Sequence, residues 1–449
     1  MDSTKLLELC DDVLGRLMAG GASDAKVVAR TGQDLSVRVR LGEVELVEEA
    51  GTQSIAIRCF KGKRVATAST NDLTAAGLRR AVGDALELCD LAQEDPFAGL
   101  PDPAALASAY PDMRLYDPAC GSITAGEAVE RARRCEKASL DFDPRITNSE
   151  GGSFGRTQGG FVMATSGGFR GGYNGSYASV STSPVAADEG GKNRTSGYWS
   201  AKRFLHQLEA EDAVGREAAR RTVALLGARK VPTQEAPVIF DPDAARSLLG
   251  AFAGCVTGDA IYRRSSFLLD RLGETVASEL VTLIDDPLLA DGPGSRPFDG
   301  DGLLTRKNVV VERGVLKTWL LDTYGARKLG MASTGSAASA TGSGAGVSNF
   351  YLAPGGVSAE ALLRDTRRGL YVTGMMGFGF NAVTGDFSRG AYGYWVEDGA
   401  LAFPVSEVTI SLNFKELFAS IDGVADDLEF KSGVASPTFR VAKMTIAGS

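Results

Sequence analysis

The chain has 449 residues, of which 44% are apolar and 23% charged, with 55 glycines and a formal charge of −8. That length exceeds one ordinary core, so two or three domains are expected, and the composition is that of an ordinary globular protein. The acidic balance is spread along the chain and argues against non-specific nucleic-acid binding, and no apolar run reaches the roughly eighteen residues of a membrane helix.

The first residues, MDSTKLLELCDDVLGRL, lack the features of a secretory signal, and a cytoplasmic location is expected. Residues 4–18 predict an amphipathic helix with Leu6, Leu7, Cys10, Val13, Leu14 and Leu17 on one face, stopped at Gly20–Gly21. Short strands are expected at 25–29, 35–41, 44–49, 54–60 and 64–69. Leu35, Val37, Val39 and Leu41 alternate with polar residues, as a strand with one wet face does. Asn71–Asp72 offers an N-cap to a helix over 73–91. Residues 95–118, rich in Pro, Asp and Ala, read as a connector. A helix is expected at 124–140. After it, 145–201 is dense in Gly, Ser and Thr, but aromatic and β-branched residues return at 160–165, 169–174 and 177–182. That pattern predicts antiparallel hairpins. A helix over 212–226 ends at Gly227.

A strand at 235–240 and an Asp241–Pro242 turn lead into 243–261, DAARSLLGAFAGCVTGDAI. There Leu248, Leu249, Phe252, Val256 and Ala260 recur at helical spacing. Its many glycines cost a helix about 1 kcal/mol each relative to Ala, so it needs close packing to persist. Further strands are expected at 276–284, in a hairpin over 308–320, and at 370–380, 385–397, 401–405 and 441–446, with helices at 358–366 and at about 414–421, the latter opened by 408–412. The small, polar stretch 330–348 reads either as a flexible linker or as a substrate-accessible loop. The expected fold class is α+β with mostly antiparallel sheet. Four regions are expected: an N-terminal α+β domain (1–94), the connector (95–118), a Gly-rich hairpin and helix region (119–230) and a strand-rich α+β domain (231–449).

His206 is the single histidine, which excludes any site needing two from this chain, and it reads as a surface residue. No GxSxG elbow and no phosphate-binding loop occurs. The six cysteines, Cys10, Cys59, Cys89, Cys120, Cys135 and Cys255, form no CxxC pair and read as free buried thiols. Cys255, inside the predicted helix, reads as a small hydrophobe. Asp285–Asp286–Pro287 reads as a turn, and 375–380 as a packed strand or a pocket wall.

The run NAVTGDFSRGAYGYWVEDG at 381–399 carries a resemblance, together with 51–68 followed by 70–73, Gly215-Arg216-Glu217-Ala218, 248–259 with 273–286, and 404–410. Over essentially its full length the chain resembles the TldD/PmbA family, also called the modulator-of-gyrase family, and within it the PmbA- or TldE-like branch. The TldD-type members resemble zinc metallopeptidases, with HExxxH on the helix that aligns with 243–261. Two histidines there hold the metal and the glutamate is the base. Here Gly250, Ala251 and Cys255 stand at those positions, and no cysteine follows Cys255 to supply the further ligand. The resemblance therefore implies no catalytic residue, metal or cofactor in this chain, and zinc in a TldD-like partner. It implies a non-catalytic subunit of a heteromeric zinc metallopeptidase that processes peptides or unfolded proteins, with a homodimer as the alternative assembly. Gly335, Ser336, Gly344, Phe378 and Asn381 are the expected residues of a peptide cavity. Two other classes stay open: an independent peptidase with a non-zinc site, and a regulatory protein linked to DNA gyrase. Direct nucleic-acid binding is not expected.

Overall fold

The computed structural model describes residues 3–448; the extreme ends of the first and last expected regions lie outside the described residues. The N-terminal part begins with α1 (Ser3–Ala19), whose buried face is Leu6, Cys10, Val13, Leu14 and Leu17. It then lays down β1 (Asp24–Arg40), β2 (Glu43–Lys61) and β3 (Arg64–Thr70), followed by α2 (Ala75–Leu91). Four short strands predicted across 25–60 are in fact two long ones. Polar residues 31–34 interrupt the apolar alternation, yet pairing runs straight through them, with Gln33 opposite Gly51 on one side and Gln158 on the other. Backbone hydrogen bonds do not require an apolar side chain at every step. The cap of α2 is Thr74, which accepts from Gly77 N, and not Asn71–Asp72; Asp72 instead accepts from Thr74 N at 3.0 Å.

Next come α3 (Pro118–Ser122), α4 (Ala125–Leu140), β4 (Ile146–Thr165), β5 (Arg170–Ala187), β6 (Asn193–Thr195), β7 (Tyr198–Lys202) and α5 (Glu211–Val223). Thr124 and Glu127 close a capping box on α4. The strands on either side of the connector form one seven-stranded sheet, ordered β3-β2-β1-β4-β5-β6 with β7 also on β5. One face carries two apolar clusters. Ala25, Val27, Ala29, Ile55, Ile57, Val162 and Ala164 lie under α1 and α2. Leu35, Val37, Val39, Phe154 and Val180 lie under α4.

The rest of the chain holds β8 (Gln234–Phe240), α6 (Pro242–Cys255), α7 (Gly258–Tyr262), β9 (Leu283–Asp285), β10 (Asn308–Glu312), β11 (Val315–Leu316) and α8 (Thr323–Leu329). It continues with β12 (Phe350–Leu352), α9 (Ala359–Arg364), β13 (Arg368–Met376), β14 (Asp386–Glu397), β15 (Ala400–Asn413), α10 (Phe414–Ala419), β16 (Ile421–Val424), β17 (Val434–Ala435) and β18 (Phe439–Ala447). Six strands, β15-β14-β13-β8-β18-β16, make one sheet and five, β11-β10-β9-β12-β17, another. Among the strands of the described residues only β8–β13 and β12–β17 pair in parallel, so the fold is α+β with mostly antiparallel sheet, as expected.

Several elements differ from the sequence expectation. The helix predicted over 243–261 breaks after Cys255, because Val256 O accepts from Leu320 N (2.9 Å) and Gly258 N donates to Leu320 O (2.8 Å). Those bonds turn the backbone outward, and Gly258 is closely packed there: a Cβ would lie 2.8 Å from Leu321 Cδ2, so the Leu321 side chain would have to shift. The strand predicted over 276–284 shrinks to β9, since the amides of Val276 and Ala277 both turn to Gly314 O. Residues 408–412, expected to open the last helix, instead continue 401–405 in one strand, β15, bent at Glu407 (φ 57°), and the helix begins only at Phe414.

Residues 330–348 form neither helix nor strand, but they are no linker. Three buried aspartates accept from their backbone: Asp322 Oδ2 from Gly344 N (2.7 Å), Asp299 Oδ2 from Ala337 N (3.1 Å) and Asp285 Oδ1 from Ser348 N (2.6 Å). Small residues are what let a backbone come this close to carboxylates. Of the Asp285–Asp286 pair, Asp286 makes the expected turn by accepting from Leu288 N, whereas Asp285 holds this strap. The strap also meets the N-terminal sheet, where Arg58 donates to Gly342 O and Thr67 to Thr341 O. Lys26, 1% exposed, donates from β1 to Gly300 O (2.7 Å) and Asp301 Oδ1 (2.9 Å).

Candidate functional site

Helix α6 starts at the N-cap Asp241, whose carboxylate accepts from Ala244 N at 2.8 Å. Burial pushes that carboxyl up to about 7. The inner face, Ala244, Ala245, Leu248, Leu249, Phe252, Ala253 and Cys255, is buried in the largest apolar cluster. The outer face is nearly bare. Ser247, Gly250 and Gly254 are exposed, Ala251 is half-buried, and Arg389 Nη1 donates to Ser247 Oγ at 2.8 Å. A Cβ at Gly250 would meet nothing within 4 Å. Cys255 points inward instead, its Sγ donating to Ala251 O (3.4 Å), and burial pushes the thiol up to about 12. The three motif positions thus face different directions, and two of them offer no ligand atom. They do not fit a zinc ion, which takes three or four protein ligands with any thiol deprotonated. Among the described residues no three His, Cys, Asp or Glu side chains gather in a metal-binding group.

The expected cavity residues fall in two places. Gly335 and Ser336 are buried in the strap, where Ser336 Oγ lies 2.8 Å from Thr334 Oγ1, and neither lines the two clefts of the large sheet. Gly344 (φ +128°) is pinned by Asp322. Phe378 and Asn381 belong to the loop joining β13 to β14. The Phe378 side chain is fully exposed, and Asn381 Oδ1 accepts from Val383 N and Thr384 N, closing a turn. Of 375–380, Met375 and Phe380 pack on the core while Met376 and Phe378 face outward. His206 is exposed, next to Phe204.

Two clefts lie at the waist of the large sheet. On the helix-bearing face, the gap between the two apolar clusters is a cleft of about 780 Å³ lined by Thr31, Gln33, Gln53, Gln158, Asn174 and Tyr116. Gln158 Nε2 donates to Gln33 Oε1 at 2.7 Å. The waist is thin: a Cβ at Gly159 would lie 2.2 Å from Thr31 O. On the opposite face, a cleft of about 360 Å³ opens toward the C-terminal region, between Arg30, Phe161 and Tyr173 of the sheet and Arg296, Phe298, Asp299, Ala338 and Ala340. Its floor is aromatic, with Phe161 and Tyr173 5.4 Å apart and Tyr173 and Phe298 5.5 Å apart. Sequence reasoning did not find these residues. The available signals were the polar break in the β1 alternation and the Gly159–Gly160 pair.

Three family profiles match in order: PmbA/TldA metallopeptidase domain 1 over 25–89, the central domain over 118–226 and the C-terminal domain over 233–448. The metalloprotease PmbA of Escherichia coli O157:H7 is 38% identical over 99% of this chain and 96% of its own length. The chain belongs to the PmbA/TldD family. The PmbA homologue of Haemophilus influenzae is 36% identical over 96% of this chain and 93% of its own. By contrast, a metalloprotease TldD homologue of Buchnera aphidicola is 24% identical over 55% of this chain and 56% of its own. The PmbA/TldD fold is matched by a crystal structure described as a putative modulator of DNA gyrase from Bacteroides thetaiotaomicron, with TM-score 0.93, 26% identity and 100% of each chain covered. TldE from Thermococcus kodakarensis shares the fold at TM-score 0.87 and 22% identity, over 98% of this chain and 100% of that one. No helix among the described residues is long and apolar enough to cross a membrane.

Proposed function

We propose that, within a peptidase family, this chain is the metal-free, non-catalytic subunit of a heteromeric zinc metallopeptidase. Its zinc would reside in a TldD-like partner, and the substrate would be a peptide or an unfolded segment. The observation that carries this reading is the outer face of α6. The helix keeps its place on the core, but presents Gly250 and Ala251 where a ligand and a base would stand, with Cys255 turned inward. Without a metal-activated water this chain has no evident route to amide hydrolysis. The related proteins carry the name metalloprotease, and a shared assembly reconciles that name with these residues. A reducing cytosolic location accords with six buried, unpaired cysteines.

The test is to co-express the chain with a TldD-like protein and follow both through size-exclusion chromatography. A stable mixed complex is expected. Elution of the two as separate species, with this chain as a self-paired dimer, would contradict the heteromeric assignment.

A further inference from the structure

The smaller cleft at the waist of the sheet is cationic in a chain that is acidic overall. Arg30, from β1, and Arg296, from the segment before Phe298, line it from opposite sides. Among the described residues neither guanidinium is ion-paired to a carboxylate. Arg30 stacks over the Phe161 ring, 5.0 Å from its centroid. Arg296 donates only to carbonyls, Nη1 to Ala337 O (3.1 Å) and Nη2 to Gly346 O (3.4 Å), and its buried Nε has no partner. Tyr173 lines the same cleft on the aromatic floor. Burial raises its phenol, while the nearby charges of Arg296, Arg30 and Arg203 pull the other way. Arg203 itself is already engaged, with Nε on Gly292 O (2.8 Å) and Nη2 on Pro293 O (2.7 Å).

One acid lies on the cleft wall. Asp299 is 1% exposed, and both its oxygens are turned to backbone amides: those of Asp301 (2.9 Å) and Leu303 (3.0 Å) on Oδ1, and that of Ala337 (3.1 Å) on Oδ2. It is therefore not a counter-ion to either arginine. The Arg296 charge also acts on the buried Asp285, but that carboxylate accepts from Ser348 N and makes no ion pair with it. Two arginines with no carboxylate in ion-pair contact, over an apolar floor, form a site suited to an anion from outside. Guanidinium groups are suited to carboxylates, and the surrounding rings suit the carbon atoms next to one.

We propose that this cleft is a subsite for a peptide carboxylate, bound between the guanidiniums of Arg30 and Arg296 with the Tyr173 hydroxyl as a further donor. This deepens the proposed function and rests on the chain handling peptides. The carboxylate could be the peptide's C-terminus or an acidic side chain.

The experiment is fluorescence anisotropy on the isolated full-length chain with labelled twelve-residue probes. One peptide has a free C-terminus and no acidic residue, one is amidated with two Glu near its end, and one is amidated with Gln in their place. Tighter binding of either carboxylate-bearing probe than of the neutral one, by about tenfold or more, is expected, and which of the two binds tighter identifies the source. Arg30→Gln should remove that discrimination and Arg30→Lys should retain part of it; the side chain is exposed, so folding is checked by circular dichroism and expected to hold. Equal binding of all three probes, no effect of Arg30→Gln, or binding of inorganic phosphate in preference to every peptide would overturn the assignment. A complex with a TldD-like protein that assembles and hydrolyses peptides without charge discrimination would refute the subsite while leaving the subunit role intact. Failure of that assembly, with charge-selective peptide binding retained, would do the reverse.

Discussion

The Lys26–Asp301 pair ties β1 to the wall of the smaller cleft, and replacing Lys26 by Met should loosen both. Lys26 Nζ makes two charge-assisted bonds in a buried setting, to Gly300 O at 2.7 Å and Asp301 Oδ1 at 2.9 Å. Asp301 would keep only its bond from Thr323 N (3.0 Å). Burial alone would raise the Asp301 carboxyl, but Lys26 and these hydrogen bonds bring it below its ordinary value. Removing the cation strands a buried charge, at a cost of about 3–5 kcal/mol. For cooperative melting of the whole chain the unfolding entropy is about 0.9 kcal/mol/K, so the melting temperature should drop by about 4 °C. The assay is differential scanning calorimetry of Lys26→Met, Asp301→Asn and the double variant. Asn can still accept from Thr323 N while carrying no charge, so the double variant should melt above Lys26→Met alone. A Lys26→Met protein within about 1 °C of wild type, or a double variant that melts lower still, would refute a stabilising buried pair.

Three further outcomes follow from particular residues. The Asp241 carboxyl is held up to about 7, above its unfolded value, so the native state binds the extra proton and stability falls as pH rises from about 4 to 7. Asp241→Asn keeps a capping acceptor and should lessen that fall by about 1.4 kcal/mol per pH unit, read from urea midpoints at pH 5 and 7; an unchanged slope would place the titration elsewhere. Installing Gly250→His, Ala251→Glu and Cys255→His together should not create a zinc site, because position 255 points into the core and no third ligand is at hand. One zinc per chain by mass spectrometry would contradict that. Gly344→Val forces a β-branched residue to φ +128°, a strain of about 1–3 kcal/mol that should loosen the strap. Peptide processing by the complex should then fall with the partner's zinc unchanged, and undiminished processing would remove the strap from the site.

What the sequence conveyed and what it hid have a common cause. Features set by near neighbours were legible: the apolar stripe of α1, the alternation of Leu35, Val37 and Val39, and the capping residues of α4. That the α6 stretch contains no HExxxH is read directly from the sequence, because such a motif sits within six residues. The strap at 330–348 misled because what holds it, Asp285, Asp299 and Asp322, lies outside the stretch itself. The break of the predicted helix after Cys255 depended on Leu320, far along the chain. The cleft was invisible for the same reason. Arg30, Tyr173 and Arg296 belong to three separated segments, and only the pairing of β1, β4 and β5 and their packing against the C-terminal region bring them together. Gly335 and Ser336, expected in a peptide cavity, are buried in the strap, where small residues serve backbone burial.

The most direct test of the central claim is zinc content and peptide hydrolysis measured side by side for this chain, a TldD-like partner and their complex. The account predicts no stoichiometric zinc and no hydrolysis for this chain alone, zinc in the partner, and activity in the complex that a chelator abolishes. Stoichiometric zinc together with hydrolysis by this chain alone would contradict it.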